Sequence, residues 1–136
     1  MTRSFLSLAV AVLLAGAAGQ AAAQATHEIR LEADPAADQY RFVPAQITAR
    51  PGDVLVFRVT KGGPHSVVFE EQGMPAGAKQ ILSGALPDRT SDLGSPLLNN
   101  GAVYRVALPA NLPHGRYPFY CLPHRAYDMR GELAVK

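Results

Sequence analysis

The chain has 136 residues, 13 Lys and Arg against 11 Asp and Glu, one Cys and no Trp, the size and composition of one small globular domain. A net charge of +2, spread evenly, excludes binding driven by charge to nucleic acid or to an anionic membrane surface. A single cysteine excludes an internal disulfide framework.

Residues 1–25 read as a secretory signal. Arg3 lies in a short polar start, an apolar run extends from Phe5 to about Ala18, and Ala23-Gln24-Ala25 is a small-residue cleavage pattern. The run is shorter than the roughly 18 to 20 apolar residues of a membrane span, and the cleavage point has no Cys for lipid attachment. The expectation is a soluble mature domain, residues 26–136, exported to the periplasm or another extracytoplasmic space and large enough to bury its own core. In that oxidising setting the lone Cys121 is either an inert buried thiol or there for its chemistry.

From Ile29 onward the apolar pattern has the short period of strands, broken at close intervals by Gly, Pro, Asn and Asp, which predicts an all-β domain. Strands are expected over 27–33, 45–49, 54–60, 66–70, 103–108, 116–121 and 132–135, with Pro51-Gly52-Asp53 turning the second into the third. Seven short strands suggest a β-sandwich. Residues 72–101 are irregular, with room for a short helix over 76–86.

Alternation puts Val67 and Phe69 on one face of the fourth strand, with His65 extending that face, and puts Tyr117, Phe119 and Cys121 together on the sixth. Both faces are apolar and should point inward. His65 and Cys121, each at a strand end, can then meet at one end of the sandwich.

The segment from Cys121 through Pro123-His124 to Met129 supplies a thiol, an imidazole and a thioether within nine residues, with Gly62-Gly63-Pro64-His65 upstream. A thiolate, two imidazoles and a weak axial thioether are the ligands of an electron-transfer copper site. Zinc also takes Cys with two His, but structural zinc prefers more thiolates, and catalytic zinc keeps an open position that Met does not provide. Cys and His also serve as nucleophile and base, a reading that gives Met129 no role. His27, second in the expected mature chain, offers an imidazole beside a free amine that could take up stray Cu(II), but its default is an exposed terminal side chain.

The pattern Tyr117, Phe119, Tyr120, Cys121, Pro123, His124, Met129 and Gly131 resembles cupredoxins of the plastocyanin type, as do Pro64-His65-Ser66-Val67-Val68-Phe69 and Leu97-Leu98-Asn99 with Gly101, Tyr104 and Val106. The resemblance implies a two-sheet Greek-key β-sandwich with one copper ion, Cu(I) or Cu(II), at its loop-rich end. The ligands it implies are His65, Cys121, His124 and, weakly, Met129. It also implies a monomer that carries single electrons between redox partner proteins and performs no bond-making reaction, with transient docking near His124 and an apolar patch that includes Leu122 and Pro123. Arg125 and Arg130 are expected on the rim of that face, where they would steer an acidic partner.

Three departures from the family pattern stand out. Ser66 follows the first ligand where Asn is common, residues 126–128 are Ala-Tyr-Asp where Gly is common, and Pro118 interrupts the ligand strand. The alternative to electron transfer is copper storage, delivery or detoxification. Such proteins favour clusters of exposed Met and His, whereas the mature domain has only Met74 and Met129. A multicopper enzyme would need more ligands than His27 and His114 can add.

Overall fold

Short-period alternation produces eight strands and one short helix within residues 22–136, the part of the chain that the computed structural model describes. Residues 1–21, most of the expected signal segment, lie outside the described residues. In chain order the elements are β1 (Thr26–Asp34), β2 (Gln39–Val43), β3 (Gln46–Ala49), β4 (Val54–Lys61), β5 (Val68–Phe69), α1 (Ala78–Ala85), β6 (Val103–Ala107), β7 (Gly115–Tyr120) and β8 (Arg130–Val135).

They form two four-stranded sheets, ordered β2-β1-β4-β6 and β3-β8-β7-β5. The sheets make the expected all-β sandwich, closed by one continuous core. Strand β1 runs parallel to β4, and β3 parallel to β8; the other pairings are antiparallel. Because β1 and β4 run the same way, their C-terminal ends emerge at one end of the molecule, beside the end of β7 and the start of β8. Phe119 lies at the centre of the core, with Phe42, Phe57 and Phe69 meeting its ring edge-on at 4.8, 5.7 and 5.5 Å. Burying a Phe or Leu side chain contributes about 1.5–3 kcal/mol, so the loops at this end stand on a rigid base.

Three local outcomes differ from the sequence reading. Strand β2 was not among the expected strands; it forms by pairing antiparallel with β1, with Phe42 buried. The expected strand over 66–70 shrinks to Val68–Phe69, because the preceding residues pair with a loop instead. His65 exchanges both backbone hydrogen bonds with Leu98, at 2.9 and 2.8 Å, and the Val67 N–H donates to Ser95 Oγ at 2.9 Å. Pro118 is in an interior strand, and its missing N–H does not interrupt the β7–β8 ladder. The Glu132 N–H opposite it turns away to Ala45 O, and the chain after β5 uses Pro118 only as an acceptor, from the Glu70 N–H at 2.8 Å.

The irregular stretch contains the expected helix, shortened to α1, which buries Ala78 and Leu82 one turn apart. At the opposite end from the ligand loops, the buried Asp53 carboxylate accepts the Arg50 N–H and His27 Nε2, both at 2.9 Å, and the Ala25 N–H at 3.0 Å. His27 is therefore half-buried and partnered, not a free terminal side chain. The Arg50 amide, then His27, hold the Asp53 pKa down from its ordinary 3.8 to about 2. A depressed carboxylate stabilises the fold above its unfolded pKa, and that contribution is lost on protonation. Stability is therefore expected to fall as pH drops from about 4 to about 2, and Asp53→Asn should flatten that limb of a pH series of thermal melts.

Candidate metal centre

Each donor comes from the end of an element. Strand β4 ends at Lys61, and Gly62-Gly63-Pro64 turns the chain so that His65 enters the core fully buried. Strand β7 ends at Tyr120, and the alternation that buries Tyr117 and Phe119 continues to the fully buried Cys121. The chain then makes a 3-10 turn at Arg125–Tyr127 and returns through β8. The loop is closed by the Cys121 N–H donating to Met129 O at 3.0 Å and the Met129 N–H to His124 O at 3.4 Å, which holds the buried Met129 against both.

This folding brings Cys121 Sγ to 3.6 Å from His65 Nδ1 and 3.5 Å from His124 Nδ1, with the two Nδ1 atoms 3.2 Å apart. Among the described residues, this is the cluster of three potential ligands that converges on one point. A point equidistant from the three donors is about 2.0 Å from each, close to the bond lengths at which imidazole and thiolate hold a first-row metal ion.

The protonation chemistry agrees with that fit. His65 Nε2 lies 2.9 Å from Lys61 O, a pure acceptor, so Nε2 carries the proton and Nδ1 presents a lone pair to the cluster. Burial lowers the pKa of His65 and, with the neighbouring His65, that of His124, which keeps both imidazoles neutral and able to ligate. Burial pushes the Cys121 thiol up, against a lowering contribution from the Ser66 N–H, which donates to Sγ at 3.4 Å. A bound cation is what makes this sulfur a thiolate. An isolated nucleophile–base pair would instead need a depressed thiol pKa, and the second imidazole would have no role.

Residues 27–136 match the family model described as copper binding proteins, plastocyanin/azurin family. The chain belongs to this family. A plastocyanin of Rumex obtusifolius is 36% identical over 110 residues, which cover 80% of this chain and 99% of that protein. The chloroplastic plastocyanin minor isoform of Arabidopsis thaliana is 40% identical over 96 residues, 70% of this chain but only 50% of that longer protein. A mutant fern plastocyanin, solved oxidised and reduced, superposes with a TM-score of 0.61 at 26% identity, covering 80% of this chain and 99% of that one.

The places where this cupredoxin departs from the family pattern have local explanations. Ser66 still ties the two ligand loops together, because its Oγ accepts the Leu122 N–H at 3.0 Å while its own N–H reaches the sulfur. Asp128 takes a left-handed conformation, φ 57°, which Asp tolerates better than most residues, so the turn before Met129 forms without Gly.

Two features were not legible in the sequence. Tyr40, on the unexpected strand β2, brings its ring to 5.1 Å from His124 and stacks on Tyr127 at 4.1 Å. The Lys61 carbonyl sets the His65 tautomer. Alternation of Tyr40 and Phe42 was the only sequence signal for the first, and a backbone carbonyl leaves none. The expected rim of two arginines is also revised. Arg130 is bound to Glu70 at 2.8 Å and Asp128 at 2.9 Å, whereas no carboxylate among the described residues pairs with Arg125, whose guanidinium lies over the Tyr120 ring.

Proposed function

We propose that this protein is a blue copper electron carrier whose single ion is held by His65 Nδ1, Cys121 Sγ and His124 Nδ1, with Met129 as the weaker axial ligand. The observation that carries the reading is the triangle of three lone-pair donors, with sides of 3.2–3.6 Å, at the buried end of the sandwich. Copper bound there supplies a one-electron couple between Cu(I) and Cu(II). The chain's own residues do the rest. The Lys61 carbonyl and the packed core hold His65, the Ser66 hydroxyl locks the two ligand loops in one register, and the Ser66 N–H tunes the electron density on sulfur. A site prevented from rearranging suits both oxidation states, which is what electron transfer needs and bond-making does not.

Storage or delivery fits less well. Exchangeable copper calls for accessible ligands, whereas His65, Cys121 and Met129 are all fully buried. The mature chain should bind one copper per molecule and show an intense blue colour that ascorbate bleaches reversibly. Met129→Gln should keep the copper but lower the reduction potential, because a harder oxygen donor favours Cu(II). A potential unchanged from wild type would make Met129 a packing residue only.

The electron port in this reading is His124, the least buried of the three donors, and the chain acts as an exported monomer that docks transiently with redox partners. Leu122 and Tyr127 beside it and Leu97 nearby are 56%, 55% and 62% exposed, apolar side chains open to a docking partner. Arg125, unlike Arg130, keeps an uncompensated charge at its edge. Transfer to an acidic partner should slow as ionic strength rises, and Arg125→Glu should slow it further at low salt while leaving the copper spectrum unchanged. A rate independent of salt would mean purely apolar docking. Export rests on the polar start, apolar run and small-residue pattern of residues 1–25.

A further inference from the structure

Residues 62–64 carry the chain from the end of β4 to His65 and belong to neither sheet. The backbone is clamped to a neighbouring loop before and after them. Val59 donates its N–H to Ala102 O and accepts the Gly101 N–H, both at 3.0 Å, and His65 exchanges its two backbone bonds with Leu98. Between the clamps five residues, 60–64, face only two, Asn99 and Asn100, so this stretch bows away from the ladder.

Among the described residues, one hydrogen bond joins the two stretches: Asn100 Oδ1 accepts the Gly63 N–H at 2.8 Å. The approach is close, because a Cβ added to Gly63 would stand 2.9 Å from Asn100 Oδ1 and 3.1 Å from Asn100 N. Successive glycines at 62 and 63 leave their peptide planes free to turn. Contact with Ala33 stops the first, and the Asn100 side chain stops the second. The peptide held between them begins at the Lys61 carbonyl, which accepts His65 Nε2 at 2.9 Å.

Resting on the copper reading above, we propose that Asn100 is a positioning residue for the metal centre. By holding the Gly63 amide it keeps the Lys61 carbonyl aimed at His65 Nε2, and so keeps the unprotonated Nδ1 turned toward Cys121 and His124. Its role is geometric more than energetic. Gly63 is only partly buried and Asn100 is exposed, so a water can replace the lost acceptor, but a water moves with the loop and does not tether it. Partners that orient a ligating imidazole from outside the ligand set typically change metal affinity 10–100-fold when removed, and Asn100 acts one bond further out.

The test compares wild type with Asn100→Ala, Asn100→Asp and Asn99→Ala. Asn100→Asp keeps an acceptor oxygen, and Asn99→Ala truncates an exposed neighbour whose side chain makes no hydrogen bond among the described residues. In metal-free protein labelled with nitrogen-15, NMR gives the rate at which the His65 Nε2–H exchanges with solvent. Chelator competition gives the copper dissociation constant. Asn100→Ala should exchange faster and bind copper about tenfold more weakly, whereas Asn100→Asp and Asn99→Ala should match wild type in both. Wild-type values for Asn100→Ala in either measurement, the same changes in Asn99→Ala, or failure of Asn100→Asp to preserve them would overturn the proposal, whatever the melting temperature does. A wild type that takes up no copper would remove the copper reading instead, and the ring exchange alone would then decide whether Asn100 sets His65.

Discussion

Cys121→Ser is expected to abolish the blue colour completely and, with it, reversible oxidation by one electron at the native potential. The absorption arises from charge transfer out of a covalent copper–sulfur bond, and a hydroxyl oxygen cannot supply that bond. The fold should survive. The serine hydroxyl would occupy the position where Sγ now accepts the Ser66 N–H, so the cost is that of one small polar group in a polar niche, about 1 kcal/mol. Absorption spectra and a thermal melt of the same preparation separate the two effects. A variant that stays blue would remove Cys121 from the site, and with it the proposed ligand set.

The second large effect is structural and lies outside the ligand set. Gly62 has φ 68°, and a Cβ added there would stand 2.3 Å from Ala33 O and 2.7 Å from Ala33 Cβ, beside the ends of the parallel strands β1 and β4. Both the left-handed backbone, about 1–2 kcal/mol for a residue with a Cβ, and the contact oppose any side chain. Gly62→Ala should therefore destabilise by about 3 kcal/mol. Gly52 is the control. Its φ of 91° is equally unusual, but nothing lies within 4 Å of its added Cβ, so Gly52→Ala should cost only the backbone part, about 1–2 kcal/mol. Equal losses for the two in denaturant titrations would mean that close approach to Ala33 is unimportant. Gly62 adjoins Lys61, whose carbonyl fixes the His65 tautomer, so the Gly62 variant should also bind copper more weakly.

The sequence alone determined the fold class, through a two-residue alternation that points one set of side chains inward on each strand. It also determined the inward-facing Cys121 and His65, because parity along a strand is a local property. Gly131 was legible as part of the motif, and its physical reason is that an added Cβ would lie 2.5 Å from the ring of Phe119. The leader pattern was legible too, because it is read from an unfolded chain.

What only the tertiary structure decided are the relations between segments far apart in the chain. Ser66 keeps the two ligand loops together because its hydroxyl meets the Leu122 N–H across 56 residues. Tyr40 reaches His124 only because β2 pairs on β1. Arg130 loses its role as a free rim charge because Glu70, 60 residues away, pairs with it. Nor did the run of residues around Pro118 tell whether a missing N–H would leave a gap in the sheet. That depends on which way the facing Glu132 amide turns, and pairing direction is set by the assembled sheet, not by any one strand.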